Sequence, residues 1–369
     1  MPPTTNTGAT RLRAEPVSDQ AKDLTGSSCP LPLPAHDRIL LGHGSGGKLS
    51  ADLLQDVFLP ALGNPVLNCL EDQANVSLNG ARLAITTDSF VVKPLFFRGG
   101  DIGSLAVHGT INDLAMGGAE PLWLSAAFIL EEGLPTDILR SVVASMQQAA
   151  AAAGVAIVTG DTKVVEKGSA DGLFITTTGI GRVRDGVALS ASQARPDDTI
   201  LVSGCLGDHG IAILAEREGL QFETQVQSDS AALHTLVASL LEATHEVRCL
   251  RDPTRGGLSS TLNEIAASSN VGMELDEISI PVREEVRGAC EMLGLDPMYV
   301  ANEGKLVAIV AASEAQVALQ ALRSHPLGKD AALIGHVTRD HPRMVVMRTS
   351  LGTTRIVDML AGDQLPRIC

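Results

Sequence analysis

A glycine-rich run near the start of the chain has the composition of an anion-binding loop. It reads GHGSGGK at residues 42–48. Gly44, Gly46 and Gly47 would let backbone N–H groups approach an anion closely, and Lys48 adds a compact positive charge. The run lacks the GxxxxGK[ST] spacing of a conventional nucleotide loop, so an ordinary turn is an equally good interpretation of these residues alone.

Two aspartates follow strand-like segments. Asp88 comes directly after LAITT at 83–87, and Asp161 comes just after VAIVT at 155–159, two residues before Lys163. Ligands of α/β sheets bind at strand ends, and carboxylate oxygens suit Mg²⁺. For Asp88 taken by itself, a turn-forming aspartate is the commoner alternative.

Three polar residues interrupt a run of small and apolar residues at 107–121. The small residues at helical spacing predict a tightly packed helix. His108, Asn112 and Asp113 are then candidates for a polar site, although helix-surface positions and a packing histidine are the alternatives.

Further charged residues lie in the second half of the chain. Asp252 and Arg255 belong to RDPTRGGL at 251–258, and Glu303 belongs to NEG at 302–304. An Asp-Pro pair is also a common helix start. Each cluster is weak singly, but acidic groups, basic groups and glycine loops together are what magnesium-ATP chemistry needs.

The chain ends in PRIC, so its last residue is Cys369. Gly362 and Pro366 oppose regular structure, which predicts a mobile tail over 359–369. Such a tail reaches at most roughly 35 Å, enough to insert Cys369 into a pocket and withdraw it. The remaining cysteines are scattered without a CxxC pair, which opposes a zinc cage and favours reduced thiols in the cytoplasm.

The elements needed to position these residues form an α/β (α+β) pattern. Strands are predicted at 83–87, 155–159, 174–178, 201–202, 305–311, 332–337 and 343–347, and helices at 137–153, 209–218, 230–243 and 256–268. A break at 185–195 predicts two domains, 38–187 and 188–358. Residues 1–37, rich in Pro, Ser and Thr, are predicted to be a flexible extension.

Composition excludes some functions. The net charge is −15 and aromatic residues make up 2% of the chain. Nucleic-acid binding needs a basic surface and often stacking aromatics, so it is not expected. No apolar run is long enough to span a bilayer, so we expect no membrane partner and a cytoplasmic location.

The motifs taken in order resemble those of one family. GHGSGGK, NDLAMGGAEP, GDTKVV, RDPTRGGL, NEGKL and the terminal PRIC are similar to the HypE carbamoyl dehydratases of [NiFe]-hydrogenase maturation over residues 38–369. That family belongs with aminoimidazole ribonucleotide synthetase, selenophosphate synthetase and thiamine-monophosphate kinase. The resemblance implies a homodimer formed through ATP-binding N-terminal domains, with ATP and Mg²⁺ held between the two domains.

The resemblance also implies residue roles. Nucleotide binding would fall to Gly44, Gly46, Gly47, Lys48, Asp88, Asn112, Asp161 and Arg255, and metal binding to Asp88, Asp113, Asp161 and Asp252. Cys369 would carry the substrate, Glu303 would be the general base, Lys163 would contact phosphate or the reacting group, and His108 would lie near the tail.

The implied reaction is ATP-dependent dehydration of a carboxamide on Cys369 to a thiocyanate. A HypF-type carbamoyltransferase would load the thiol, and the HypC–HypD complex would receive the cyanide. The alternatives are a small-molecule ATP enzyme of the same superfamily and a non-catalytic carrier. GHGSGGK has no thiol of the selenophosphate synthetase type, and a carrier has no need of a metal–nucleotide site.

Overall fold

The structure is a computed structural model that describes residues 38–219, 226–362 and 368–369. The predicted extension at 1–37 lies outside the described residues, as do residues 363–367 of the predicted tail. Within the described ranges, no helix combines the length and the apolar character needed to cross a membrane.

The first half of the described chain builds a sheet and its helices. Its elements are α1 (Lys48–Leu53), α2 (Leu59–Leu62), β1 (Ala74–Leu78), β2 (Ala81–Phe90), β3 (Phe96–Phe97), β4 (Gly100–Asp101), α3 (Ile102–Met116), β5 (Ala119–Glu131), α4 (Thr136–Ala152), β6 (Ala156–Val165) and β7 (Leu173–Val183). In the described residues five strands form a sheet in the order β1-β2-β7-β5-β6. Only the β5–β6 pair of this sheet is parallel.

The second half builds a separate, larger sheet. Its elements are β8 (Thr199–Val202), α5 (Asp208–Glu218), α6 (His234–Ala243), β9 (Val247–Arg251), α7 (Gly257–Ser269), β10 (Gly272–Asp276), α8 (Glu284–Leu293), β11 (Val307–Val310), α9 (Ala315–Ser324), β12 (Ala332–Thr338), β13 (Val345–Arg348) and β14 (Thr354–Val357). The seven described strands have the order β14-β13-β10-β12-β8-β11-β9.

Helices cover both faces of the larger sheet at its centre. In β8, Ile200 and Val202 face one core together with Leu258 of α7, whereas Leu201 faces another core together with Leu236 of α6. Successive strand residues point to opposite faces, so a strand buried on both sides is apolar at every position. The sequences TILV and VAIV of β8 and β11 have this composition.

Helix α3 lies between the two halves and is buried on nearly every side. It packs on β2, β5 and β7 of the five-stranded sheet, on α4 and on α6. The Asp101 carboxylate caps its start by accepting hydrogen bonds from the N–H groups of Gly103 and Ser104. A helix enclosed in this way holds any polar side chain it carries in a fixed position.

The face of the five-stranded sheet that points away from α3 is open. Trp123 and Ile129 lie on it with 48% and 41% of their surface exposed. We call this surface the open face. Directly paired strand residues share a face, so the pairing of Ile129 with Lys163 and of Ala127 with Asp161 places both charged residues there.

The predicted α/β (α+β) fold with two domains is confirmed. Predicted strands at 83–87, 155–159 and 174–178 overlap β2, β6 and β7, and the helix predicted at 137–153 is α4. β7 ends at Val183 and β8 begins at Thr199, so the predicted domain boundary falls in the connection between the sheets. The domain limits themselves stay a prediction.

Candidate active site

A small cavity of about 190 Å³ lies where the two halves of the chain meet. β2, α3, the segment after β9, the 302–304 turn and the chain terminus all contribute to it. Its lining residues are Asp72, Asp88, Ser89, Phe90, Gly109, Asp113, Asp252, Thr254, Arg255, Glu303 and Cys369. We call the five carboxylates Asp72, Asp88, Asp113, Asp252 and Glu303 the acidic cluster.

Strand β2 and helix α3 bring two of these carboxylates to the cavity. Thr86 Oγ1 donates a 2.6 Å hydrogen bond to Asp113 Oδ2, which fixes the carboxylate against the strand. Gly109, one turn earlier on α3, allows close packing: a Cβ there would lie 2.9 Å from the Phe90 ring and 3.9 Å from Asp88 Oδ2. A side chain at this position would therefore push the helix away from the strand.

A buried arginine joins the two halves of the chain beside the cavity. Arg251 Nη1 lies 2.8 Å from Asp72 Oδ1, and its Nη2 lies 2.6 Å from Glu264 Oε2. Its Nη1 also donates to the carbonyl of Leu70. The sequence motifs did not single out Asp72 or Arg251. An acidic pair and an arginine adjacent to Asp252 were the only signals available for them.

Glu303 is 3% exposed and is positioned through its backbone. Its N–H donates to Asp229 Oδ1 at 3.1 Å, and its carbonyl accepts from Asn112 Nδ2 at 3.3 Å. The side-chain atom Oε1 is buried and has no hydrogen-bond partner among the residues that the structure describes. A buried polar atom without a partner is unfavourable, so this oxygen is available to a ligand.

Burial raises the pKa of every carboxyl group in the acidic cluster, and repulsion from neighbouring carboxylates adds to the shift in all of them except Asp88. Burial is the largest cause for Asp113 and Glu303, whose pKa values lie well above the ordinary range, and neighbouring aspartates add to both shifts. The pKa of Asp252 is raised to about 6, mainly by burial and against the effect of Arg251. Arg255 favours the ionised forms of Asp88 and Glu303.

Cys369 reaches this cavity. The Val91 N–H donates to an oxygen of the terminal carboxylate of Cys369 at 3.0 Å. Burial raises the pKa of its thiol above the ordinary range, and the neighbouring Glu303 carboxyl group raises it further, while Arg255 acts in the opposite direction. The docked thiol is therefore neutral and poorly nucleophilic.

Two polar residues of α3 have partners within the protein. His108 Nδ1 lies 3.0 Å from Ser230 Oγ, and burial lowers its pKa to about 4, so the ring is neutral. Asn112 Nδ2 donates to the carbonyls of Ala231 and Glu303, and its Oδ1 accepts from the Leu233 N–H. Asn112 thus connects α3 to the C-terminal half, and its role toward nucleotide stays a prediction.

The glycine loop lies against the C-terminal half near the cavity. Arg255 Nη1 donates to the carbonyl of Gly44 at 3.3 Å, and a Cβ on Gly46 would lie only 2.7 Å from the Arg255 carbonyl. A Cβ on Gly47 would overlap the Leu360 carbonyl. Lys48 forms an ion pair with Asp358. Gly46 and Gly47 are therefore required for close packing, whatever ligand the loop also binds, whereas a Cβ on Gly44 would meet nothing within 4 Å.

Asp161 and Lys163 lie apart from the cavity. They form an ion pair with each other at 2.6 Å, and both are more than half exposed. Strand pairing connects Asp88 to Thr177, Thr177 to Ala126 and Ala126 to Gly160, so these four residues form one row across the sheet. Gly160 comes directly before Asp161 in β6. Because side chains alternate, Asp161 and Lys163 project from the opposite face of the same sheet.

The cavity suits a hard cation that arrives with a nucleotide. The described residues contain no group of three or more His, Cys, Asp or Glu side chains that could hold a metal ion. Mg²⁺ bound with a nucleotide takes one or two carboxylates and completes its shell with phosphate oxygens and water. The unpartnered Glu303 Oε1 and Asp72 Oδ2 atoms and the raised carboxylate pKa values fit such an ion.

Comparisons with known proteins place the chain in a family. A family model described as AIR synthase related protein, N-terminal domain, matches residues 70–183, and its C-terminal counterpart matches residues 195–347. A curated relative, the carbamoyl dehydratase HypE of Cupriavidus necator, is 59% identical over 333 residues, covering 90% of this chain and 95% of the relative.

Solved structures of similar chains support the same family. A HypE–HypF complex contains a chain that is 49% identical, with a TM-score of 0.80 over 84% of this chain and 99% of its own. A hydrogenase maturation protein HypE in complex with ATP is 52% identical, with a TM-score of 0.76 over 90% of this chain and 100% of its own. The chain therefore belongs to the HypE family of carbamoyl dehydratases. The predicted family and enzyme class are confirmed.

The raised carboxylate pKa values predict how stability depends on pH and magnesium. Folded protein binds more protons than unfolded protein between pH 4 and 6, because folding raises the pKa of Asp252 from 3.8 to about 6. Metal-free stability should therefore fall as pH rises through this range. With ATP present, millimolar Mg²⁺ should raise the melting temperature by about 2–4 °C at pH 8 and by less at pH 5.

Scanning calorimetry measures both effects, and Asp252→Asn is the matched variant. The variant should lose most of the Mg²⁺-dependent gain at pH 8. An equal gain at both pH values, or an unchanged gain in the variant, would contradict the assignment of the cluster to the metal.

Proposed function

We propose that this chain dehydrates a carboxamide carried on the thiol of Cys369 to a thiocyanate, using ATP, and so supplies cyanide for the iron centre of [NiFe]-hydrogenase. The observation that carries the proposal is the docking of the chain's last residue beside Glu303, Arg255 and Asp88 in one cavity. A terminal cysteine held at an acidic site suits a covalent substrate that is brought to the catalytic groups on its own chain.

The proposed chemistry makes the amide oxygen a leaving group. The oxygen accepts the γ-phosphoryl group of ATP and departs as phosphate, while the amide nitrogen loses both of its protons and the C≡N bond forms. The Glu303 carboxylate is our candidate for accepting a proton from this nitrogen. Its backbone contacts to Asp229 and Asn112 fix its position, and the raised pKa lets it hold a proton between transfers.

The remaining cavity residues would bind Mg²⁺ and the nucleotide and orient the reacting amide. Asp88, Asp113 and Asp252 are the candidates for the one or two carboxylates that would bind Mg²⁺ together with phosphate oxygens of the nucleotide. The ion would neutralise charge on the transferring phosphoryl group. Arg255 carries a positive charge close to both Asp88 and the Cys369 thiol. We assign it to orienting the phosphorylated amide. The glycine loop at 44–47 with Lys48, and the neutral His108 nearby, complete the proposed nucleotide and tail surroundings.

The proposal includes separate loading and unloading partners. The docked thiol has a raised pKa, so attack on a carbamoyl donor is better served when Cys369 is outside the cavity. We propose that a HypF-type carbamoyltransferase loads the exposed thiol and that a HypC–HypD complex receives the cyanide. A relative of known structure forms a complex with HypF, which supports the first partner.

Mass spectrometry of the intact protein tests the reaction. Incubation with a HypF-type carbamoyltransferase, its carbamoyl donor and Mg-ATP should add about 43 Da, which should fall to about 25 Da as the thiocyanate forms. Cys369→Ala should show neither shift, and Cys69→Ala, which removes an exposed cysteine, should show both. Loading without a later decrease would indicate a carrier, and no loading would favour a small-molecule ATP enzyme.

Substitution of Glu303 tests the proposed base. Glu303→Gln keeps the shape and the backbone contacts but cannot accept a proton. The loaded +43 Da form should accumulate at the normal rate and convert about 100-fold more slowly or worse. Rapid-quench mass spectrometry measures the conversion rate. Conversion at the wild-type rate would assign the base elsewhere.

We also propose that the chain forms a homodimer through the open face. This surface exposes Trp123 and Ile129, and β6 is an edge strand with one sheet partner among the described strands. Exposed apolar surface and an unpaired strand edge are typical of a covered interface. Asp161 and Lys163 lie on the same face, so their proposed roles in binding nucleotide or the reacting group would be exercised across that interface.

An introduced charge tests the dimer. Ile129→Arg should convert the protein to a monomer, because the interface would have to bury an unpaired charge. Leu351→Arg, at a residue 90% exposed elsewhere, is the control and should leave the dimer intact. Sedimentation velocity measures both masses. A monomeric wild-type protein, or an Ile129→Arg dimer, would contradict the proposal.

A further inference from the structure

The last two residues of the chain are held by contacts that the reaction itself does not explain. The side chain of Ile368 is 4% exposed and packs in the apolar core that contains Phe90, Phe97 and Ile213. This core is formed by the five-stranded sheet, α3, α4 and α5. The chain end is thus anchored by an apolar side chain one residue before the cysteine.

A buried histidine binds the backbone at this anchor. His209, the second residue of α5, is fully buried, and its Nε2 lies 2.7 Å from the carbonyl oxygen of Ile368. Its other nitrogen, Nδ1, lies 2.7 Å from Ser228 Oγ. The His209 and Phe97 rings make an edge-to-face contact, with their centroids 5.6 Å apart.

The partners of His209 determine where its proton lies. A carbonyl oxygen only accepts hydrogen bonds, so Nε2 must carry hydrogen and donate it to Ile368. Burial lowers the pKa of His209, so the ring is neutral and Nδ1 accepts from the Ser228 hydroxyl group. Ser228 Oγ in turn accepts from the Ser230 N–H at 3.1 Å. The imidazole is therefore held in one tautomer and one orientation.

Withdrawal of the chain end would leave the buried Nε2–H without its partner. An unsatisfied buried donor is unfavourable, so the hydrogen bond to Ile368 favours the docked state. The Val91 N–H donates to the terminal carboxylate of Cys369 at 3.0 Å. The Ile368 carbonyl and the Cys369 carboxylate are thus held by α5 and by the residue after β2, which sets the position of the Cys369 side chain at the cavity.

We propose that His209 is a positioning residue that recognises the peptide group of Ile368 and holds Cys369 in register with the acidic cluster. This deepens the proposed function and rests on it for the reaction, while the docking step stands on the contacts alone. Ser228 fixes the tautomer that His209 needs. His209 does not contact the reacting atoms, and its effect is on the fraction of molecules with the chain end docked.

Two amide variants separate positioning from mere folding. His209→Gln places an N–H₂ group near the position of Nε2 and can still donate to Ile368, whereas His209→Asn reaches only the position of Nδ1. Both are polar and smaller than histidine. A general folding defect should affect the two variants alike, whereas loss of the hydrogen bond to Ile368 should change the docking of the chain end only in His209→Asn.

Alkylation of thiols measures docking in the full chain without any partner protein. The docked Cys369 thiol is half-buried with a raised pKa, so iodoacetamide should modify it mainly in the undocked state. His209→Asn should increase the alkylation rate of Cys369 about tenfold, and His209→Gln should stay within about threefold of wild type. The exposed Cys69 is the internal control, with an unchanged rate in all three proteins.

Conversion of the loaded carboxamide supplies the second readout. His209→Asn should convert the +43 Da form about tenfold more slowly than wild type, with His209→Gln again close to wild type. The docking role would be overturned if Cys369 is alkylated at the same rate in wild type and in His209→Asn, or if His209→Asn and His209→Gln change that rate equally. The positioning role would be overturned if His209→Asn speeds alkylation of Cys369 but converts the carboxamide at the wild-type rate. A wild-type protein that loads but never converts contradicts the dehydratase proposal and leaves the alkylation test valid.

Discussion

The site depends on keeping several carboxylates close together inside the protein. Asp252 and Glu303 are buried, and Asp88 and Asp113 lie half-buried beside them. Burial raises the pKa values of all four carboxyl groups, and repulsion adds to the shifts of Asp113, Asp252 and Glu303. Such an arrangement is unfavourable unless protons, arginines or a cation offset the charge. Arg255 performs this role for Asp88 and Glu303, and bound protons or a cation would offset the remaining charge. The site is thus ready for a positively charged ligand because the fold brings these acids together.

Two connections between the halves of the chain maintain this arrangement. Arg251 joins Asp72 to Glu264, and Asn112 joins α3 to the carbonyl of Glu303. Both are buried polar contacts, so breaking either one leaves groups without partners. The chain terminus adds a third connection through His209 and Ile368. The cavity residues from distant parts of the sequence therefore share one rigid frame, and Cys369, which we propose carries the substrate, is held against it by contacts of the chain end.

Sequence motifs identified much of the site because their residue types carry its chemistry. Asp88, Asp113, Asp252, Arg255, Glu303 and Cys369 were all singled out, and the structure brings them to one cavity. Asp72 and His209 were not singled out, and no role was predicted for Arg251 although it begins the RDPTRGGL motif, because no local pattern reveals the contacts that these residues make. Their importance comes from contacts with residues more than a hundred positions away.

The sequence by itself determined the α/β elements, the family and the identity of most cavity residues, since periodicity and motif chemistry are local properties. Only the tertiary structure decided which face each residue occupies. Asp88 and Asp161 each follow a strand segment that the sequence predicts, and both lie inside the longer strands of the structure, yet the strand register places them on opposite faces of one sheet. Side chains alternate every residue, so a single position in the register separates a residue that lines the cavity from one on the open face.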